Sequence, residues 1–284
     1  MSIVGSLTLA HLTIGAAPMD TIVAAAHAGF GATGLRICGR RAGDPFATPV
    51  LGQPAMTRAL RERAADLGVR LSNVSGYQFY PGTALDDVAP VIEATAELGV
   101  PVIVANGFDP DEARFTELFA RYCELADRSG IRIALEFLPY SGVRNLDDAL
   151  RIVDRCGMRN AGVLPDALHL ERSGGRASDV ARVPAGRIVF AQLCDAAAWK
   201  GERSDEALMH EARTARLPPG TGTLDLDAFL DALPSGCEIE YEVNRADMAA
   251  RSPNDKAAVA AADAEHYLLG YAERRAAASA RSIA

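Results

Sequence analysis

Along this chain short apolar, β-branched runs alternate with longer stretches in which apolar positions recur every three or four residues. The short runs are "SLTLAHL" (6–12), "ATGLRI" (32–37), "VRLSNV" (69–74), "PVIVAN" (101–106), "RIALEF" (132–137), "AGVLPD" (161–166), "RIVFAQL" (187–193) and "CEIEYEV" (237–243). Their length and composition predict strands, and the near-continuous apolarity of several predicts burial on both faces, as in a parallel sheet. Between them, segments such as "MDTIVAAAHAGF", "AMTRALRERAADLG" and "LDDVAPVIEATAELG" carry helical spacing.

Punctuation agrees with this beat. In "FDPDEARFTELF", Asp109 is placed to cap a helix, with Pro110 in its first turn and Glu112 at the capping-box position. Gly68, Gly99 and Gly130 each stand where a helix ends and a strand follows. Eight strands with intervening helices in 284 residues predict an α/β protein folded as a single (β/α)8 TIM barrel over 1–274. Residues 275–284 are read as a tail that is helical, frayed or disordered. An open doubly wound sheet is the competing architecture, weakened because no G-x-G-x-x-G follows the first strand. The connection 195–224 is long, polar and rich in Pro and Gly, as a functional loop would be.

Composition narrows the function classes. Net charge is −8 and the lysines are only Lys200 and Lys256, so no basic run offers a nucleic-acid or anionic-membrane surface. Five scattered cysteines without a C-x-x-C predict reduced thiols. No stretch reaches the roughly 18–20 apolar residues of a membrane span, and the N-terminus has no basic n-region. The expectation is a cytoplasmic protein acting on a small molecule, with homo-oligomerisation left open.

In a barrel of this kind reactive groups gather at the C-terminal strand ends. Those ends carry His11, Arg36, Asn73, Asn106, Glu136, Asp166, Gln192 and Glu242. Glu136 stands out, because a carboxylate in so apolar a strand is costly without a partner. Glu136, Asp166, Gln192 and Glu242 end four successive strands, so three carboxylates and an amide oxygen converge and would repel without a cation. That donor set predicts a divalent ion, Mn²⁺ or Mg²⁺ foremost, with Co²⁺ or Zn²⁺ as alternatives. Taken singly, each has a plainer use, as a salt-bridge partner or a loop cap. His169, three residues beyond Asp166, is placed to move a proton at a substrate hydroxyl, or else to serve as a core histidine. Arg213 and Arg216 lie where the long loop could fold over the mouth and orient a substrate oxygen, or on a solvated helix face. His11 and Trp199 are further candidates to line the pocket. Arg245 is the one basic group near strand eight, so no phosphate subsite is evident.

The stretches "ALEFLPYSGVRNLDDALRIVD", "GVLPDALHLERSGG", "RIVFAQLCDA" and "EARTARLPPGTGTLDLDAFL" resemble the sugar phosphate isomerase/epimerase family of xylose-isomerase-like TIM barrels. That superfamily includes inosose isomerases and dehydratases, ketose 3-epimerases and 3-dehydroshikimate dehydratases. The resemblance implies metal ligation by Glu136, Asp166 and Glu242, with the two glutamates also serving as acid and base on opposite faces of the substrate. It implies a substrate-contacting or proton-transferring role for His169. The usual third ligand, a histidine, is replaced by Gln192, as in the dehydroshikimate dehydratase branch. The reading is therefore a metal-dependent isomerase or epimerase of a polyhydroxylated ketone working through an enediolate. The runner-up is a lyase dehydrating a cyclic hydroxyketone, and a barrel that only binds a ligand or partner is the alternative of another class.

Overall fold

Each of the eight apolar runs contains a strand: β1 (Thr8–Leu9), β2 (Ala32–Arg36), β3 (Arg70–Phe79), β4 (Val102–Gly107), β5 (Arg132–Glu136), β6 (Ala161–Leu164), β7 (Ala191–Leu193) and β8 (Ile239–Tyr241). The structure is a computed structural model and describes residues 3–283. All strand pairs are parallel, in the order β6-β5-β4-β3-β2-β1-β8-β7. The seam between β6 and β7 is bridged at Val163–Ile188 and Asp166–Gln192. Helices cover the outside, and the sheet is a TIM barrel rather than an open doubly wound sheet.

Gly68, Gly99 and Gly130 all adopt positive φ, 67°, 71° and 67°, and end their helices as their positions predict. Two boundaries differ from expectation. The cap of the helix Glu112–Asp127 is Asp111, which accepts from Arg114 N; Asp109 is instead buried and binds the Arg114 guanidinium. Strand β3 continues to Phe79, which places Asn73 in the middle of the barrel rather than at its rim. The C-terminal segment is helical from Pro253 to Ile283, so the predicted tail continues that helix as far as the described residues go.

Period-two alternation decides what fills the barrel. On one side Val104, Ala134, Leu164 and Phe190 pack as a small apolar cluster. On the other, β8 and its flanks present Glu238, Glu240 and Glu242 from alternate positions. Glu238 accepts from Thr8 and Ser72 and pairs with Arg70 at the N-terminal end. Glu240 lies in the middle, 1% exposed, and Glu242 opens into the C-terminal mouth. Gly34 makes room for this column: a Cβ there would lie 2.6 Å from Glu240 Oε1 and 2.7 Å from Asn73 Oδ1.

Candidate active site

The floor of the mouth is built on Gln192. Its Nε2 donates to Glu240 Oε2 at 2.8 Å and to Glu242 Oε1 at 3.1 Å. Asn73 Nδ2 holds the other oxygen of Glu240 at 2.8 Å. With both amide hydrogens committed downward and sideways, Gln192 Oε1 is left buried without a partner. A buried acceptor in that condition is costly, and Gln192 also lines the pocket.

Beside it, Asp166 caps the short helix Ala167–Arg172, its Oδ1 accepting from His169 N at 3.0 Å. That D-x-x-H turn aims the imidazole into the mouth, where His169 Nε2 lies 3.8 Å from Glu136 Oε1. Glu136 Oε2 accepts from Asn106 Nδ2 at 2.7 Å across the β4–β5 pair. The Tyr140 ring stands edge-on to His169, with centroids 5.8 Å apart.

Arg216 supplies the charge between these acids. Its Nη1 donates to Asp166 Oδ2 at 2.6 Å, its Nη2 lies 3.1 Å from Glu242 Oε2, and its Nε donates to Ala212 O at 2.9 Å. Read from the sequence as a loop arginine over the mouth, it is 1% exposed and forms part of the floor. The long loop delivers it by folding back on Asp195. That carboxylate accepts from the backbone of Ala196, Gly220, Gly222 and Leu224, and Asp195 and Leu217 form an antiparallel bridge. A Cβ on Gly222 would overlap Ala196 O and Asp195 Oδ1, which is why "PPGTG" can make this turn. The loop's helix, Asp205–Thr214, is tied down by the Arg144–Asp205 and Arg172–Glu211 ion pairs.

Burial in this floor sets the protonation states. Burial, reinforced by the charges of Glu242 and Asp166, pushes the Glu136 carboxyl up to about 8. Burial likewise raises Glu240 to about 8, and raises Glu242 to about 7 against the pull of Arg216. Burial acts to raise Asp166 too, but the Arg216 charge, with His169 and their hydrogen bonds, outweighs it and holds that carboxyl low. Burial drives His169 down to about 4, so the imidazole is neutral near pH 7. Arg216 is donor-only and faces Nε2 at 3.3 Å, which assigns Nε2 as the acceptor and the proton to Nδ1.

The sequence-predicted residues divide accordingly. Glu136, Asp166, Gln192, Glu242 and His169 do converge, and Asp166 is the most deeply placed. His11 lines the pocket, with Nδ1 3.3 Å from Ser75 Oγ, and Arg213 lines its outer wall. Trp199 is a correction: it is not among the pocket-lining residues. Its Nε1 donates to Gly201 O and its ring packs against Arg172, because the chain after Ala196 runs outward before turning back. Glu240 was passed over, although the E-x-E-x-E spacing of 238–242 was visible and puts all three glutamates on one face of a strand.

The donor set can be compared with what a divalent ion requires. Ligand atoms of Glu136, Asp166 and His169 all lie within 4.8 Å of one another, and the orphaned Gln192 oxygen is an unused donor on the same floor. Burial, before any charge repulsion, is what pushes Glu136, Glu240 and Glu242 upward. These residues fit a cation, and Arg216 already supplies one between Asp166 and Glu242; what is left for a divalent ion is the Glu136–His169 side of the floor. The arrangement differs from the expected quartet at Glu242, whose carboxylate is occupied by Arg216 and the Gln192 amide, at Asp166, whose two oxygens are taken by Arg216 and the His169 backbone amide, and at His169, which stands among the donors.

Several known proteins are similar to this chain in sequence or in fold. An inosose isomerase of Halalkalibacterium halodurans is 27% identical over 154 residues, 50% of this chain and 52% of that protein. A 3-dehydroshikimate dehydratase of Pseudomonas aeruginosa is 26% identical over 198 residues, 65% of this chain and 30% of that protein. The chain thus spans about half the length, or less, of the curated relatives it matches. Among solved structures, an IOLI protein with a bound zinc atom superposes with a TM-score of 0.74 at 17% identity, covering 95% of this chain and 98% of that one. An L-ribulose 3-epimerase superposes with a TM-score of 0.69 at 17% identity, covering 98% and 97%. Among the described residues, no helix is long and apolar enough to cross a membrane. The model of the xylose isomerase-like TIM barrels matches residues 22–265, and the chain belongs to that family.

Proposed function

We propose that this protein is an isomerase or epimerase of a polyhydroxylated ketone, moving a proton at a carbon next to the carbonyl. The observation that carries this reading is that Glu136 Oε1 and His169 Nε2 face each other 3.8 Å apart on the floor of the barrel mouth. Raised to about 8, the Glu136 carboxyl exchanges its proton near neutral pH, and its ionised form serves as the general base. It takes the C–H proton, and the electron pair moves onto the carbonyl oxygen to give an enediolate. Neutral His169 relays the proton between the two substrate oxygens. Arg216, a fixed cation in a water-poor site, stands next to the developing negative charge. Return of the proton from Glu136 to the neighbouring carbon completes isomerisation, and delivery of a second proton, held by the Glu242 carboxyl, to the other face completes epimerisation. A divalent ion held by Glu136, Asp166 and His169, with the Gln192 oxygen available to it, would add Lewis-acid polarisation of the carbonyl.

Gln192 favours a second reading. With glutamine in place of histidine, and with dehydroshikimate dehydratases among the similar proteins, the same proton removal would be followed by loss of a β-hydroxyl, which leaves as water with a proton from the Glu242 carboxyl. Proton NMR in D₂O across ketoses, inososes and 3-dehydroshikimate separates the two. Deuterium incorporation without loss of water is the expected result; an alkene or aromatic product identifies a lyase. Absence of exchange on every substrate with a divalent ion supplied overturns both.

A further inference from the structure

The wall of the same pocket carries a second group of cations, none of them in direct contact with the floor carboxylates. Arg36, at the end of β2, Arg40, in the loop after it, and Arg213, on the helix Asp205–Thr214, all line the mouth. Among the described residues none of the three forms an ion pair with a carboxylate. Arg36 has a single side-chain hydrogen bond, from Nη2 to Gly39 O at 3.1 Å. The other buried or half-buried arginines of this end of the barrel are matched: Arg172 with Glu171 and Glu211, and Arg216 with Asp166 and Glu242. Arg245, the basic group that the sequence pointed to, is bound to Asp247.

Three guanidiniums sharing one cavity repel each other. Burial lowers the Arg36 pKa, and the like charges of Arg40 and Arg213 push in the same direction, against the pull of Cys38 and Glu136. Burial and the charges of Arg36 and Arg40 drive His11, beside them, down to about 3. In a chain of net charge −8 with ample acid to pair with, an unpaired arginine cluster at the pocket entrance is an arrangement that a bound anion completes. The cavity is thus bipolar, acidic and proton-transferring at its floor and cationic at its mouth.

We propose that the substrate carries a permanent anionic group, a carboxylate or a phosphate, and that Arg36, Arg40 and Arg213 hold it at the mouth. The opposite, carbonyl-bearing end then reaches Glu136 and His169. This assignment rests on the reaction proposed above for its orientation, but the binding it describes is measurable without turnover. A neutral sugar or inosose leaves the three guanidiniums unmatched and is the disfavoured class.

Titration calorimetry on the full chain tests it, with quinate as carboxylate probe, fructose 6-phosphate as phosphate probe and myo-inositol as neutral probe. At least one anion is expected to bind about tenfold or more tightly than myo-inositol, a difference of about 1.4 kcal/mol. Arg40→Gln, at an exposed position, and Arg213→Gln are each expected to remove most of that preference while the unfolding midpoint stays unchanged. Which of the two anions is preferred identifies carboxylate or phosphate. Equal binding of neutral and anionic probes, or an anion preference that survives both substitutions, overturns the proposal. Proton exchange on neutral ketoses with no anion preference would overturn it while leaving the reaction standing. Arginine-dependent anion binding without exchange on any substrate would uphold it and remove the reaction instead.

Discussion

Arg216 Nη1 and Asp166 Oδ2 are 2.6 Å apart, and both side chains are buried, at 1% and 0% exposure. Removing one member of such a pair strands the other charge in the protein interior, which typically costs about 3–5 kcal/mol. Arg216→Met is therefore expected to lower unfolding free energy by about that amount, read from urea denaturation. Arg216→Lys restores the charge but not the forked contact to Asp166 and Glu242, and is expected to recover only part. Unchanged stability in Arg216→Met would show that the guanidinium does not hold the floor together.

Metal removal has a defined outcome. Prolonged dialysis against a strong chelator is expected to abolish turnover, and added Mn²⁺ or Mg²⁺ to restore it. Glu136→Gln is expected to abolish turnover and weaken metal binding, followed by elemental analysis and by titration of the apo protein. His169→Ala is expected to weaken metal binding as well, since its ring lies within the Glu136–Asp166–His169 cluster. Full activity after dialysis contradicts metal dependence.

Glu240 joins Asn73 to Gln192 inside the barrel. Glu240→Ala leaves two amide donors unmet in a dry layer, at about 1–3 kcal/mol for each group that finds no substitute. A drop in thermal midpoint is expected. Gly34→Ala, whose new Cβ would press on Glu240 and Asn73, is expected to cost about 1–3 kcal/mol by overpacking. Wild-type stability in both would mean that this polar layer yields easily.

The C-terminal helix is pinned by Asp227, which accepts from Tyr267 Oη and Arg274. The Arg274 hydrogen bond, foremost among its contacts, holds the Asp227 carboxyl down to about 2. A depressed carboxylate contributes stability above its unfolded pKa of 3.8, lost as pH falls through about 2. The carboxyl is 36% exposed, so solvent screening limits the effect to about 1 kcal/mol or less. Asp227→Asn is expected to reduce stability slightly at pH 7 and to flatten the acid limb between those values. A limb unchanged by the substitution would assign it to other carboxylates.

The barrel was legible in the sequence because its determinants are local. Strand and helix periodicities differ, and Gly68, Gly99 and Gly130 mark helix ends at positions that need positive φ. The convergence of Glu136, Asp166, Gln192 and Glu242 was legible for a related reason, since parallel strands of a closed barrel bring their C-terminal ends to one rim. Glu240 shares the phase of Glu242 along β8 but lies one layer deeper, 1% exposed, so a reading of strand ends does not reach it.

What joins the carboxylates was decided by tertiary structure alone. Arg216 reaches Asp166 from 50 positions along the chain, by a loop whose path depends on Asp195 gathering distant backbone donors. Nothing local distinguishes it from Arg213, three residues earlier, which remains at the mouth. Trp199 failed as a pocket residue for the same reason, because a loop's direction is set by contacts made far from it in sequence. Charge type and strand phase are written along the chain; which charge ends up beside which is a property of the closed barrel, where long-range packing and the cost of an unpaired buried ion choose the partners.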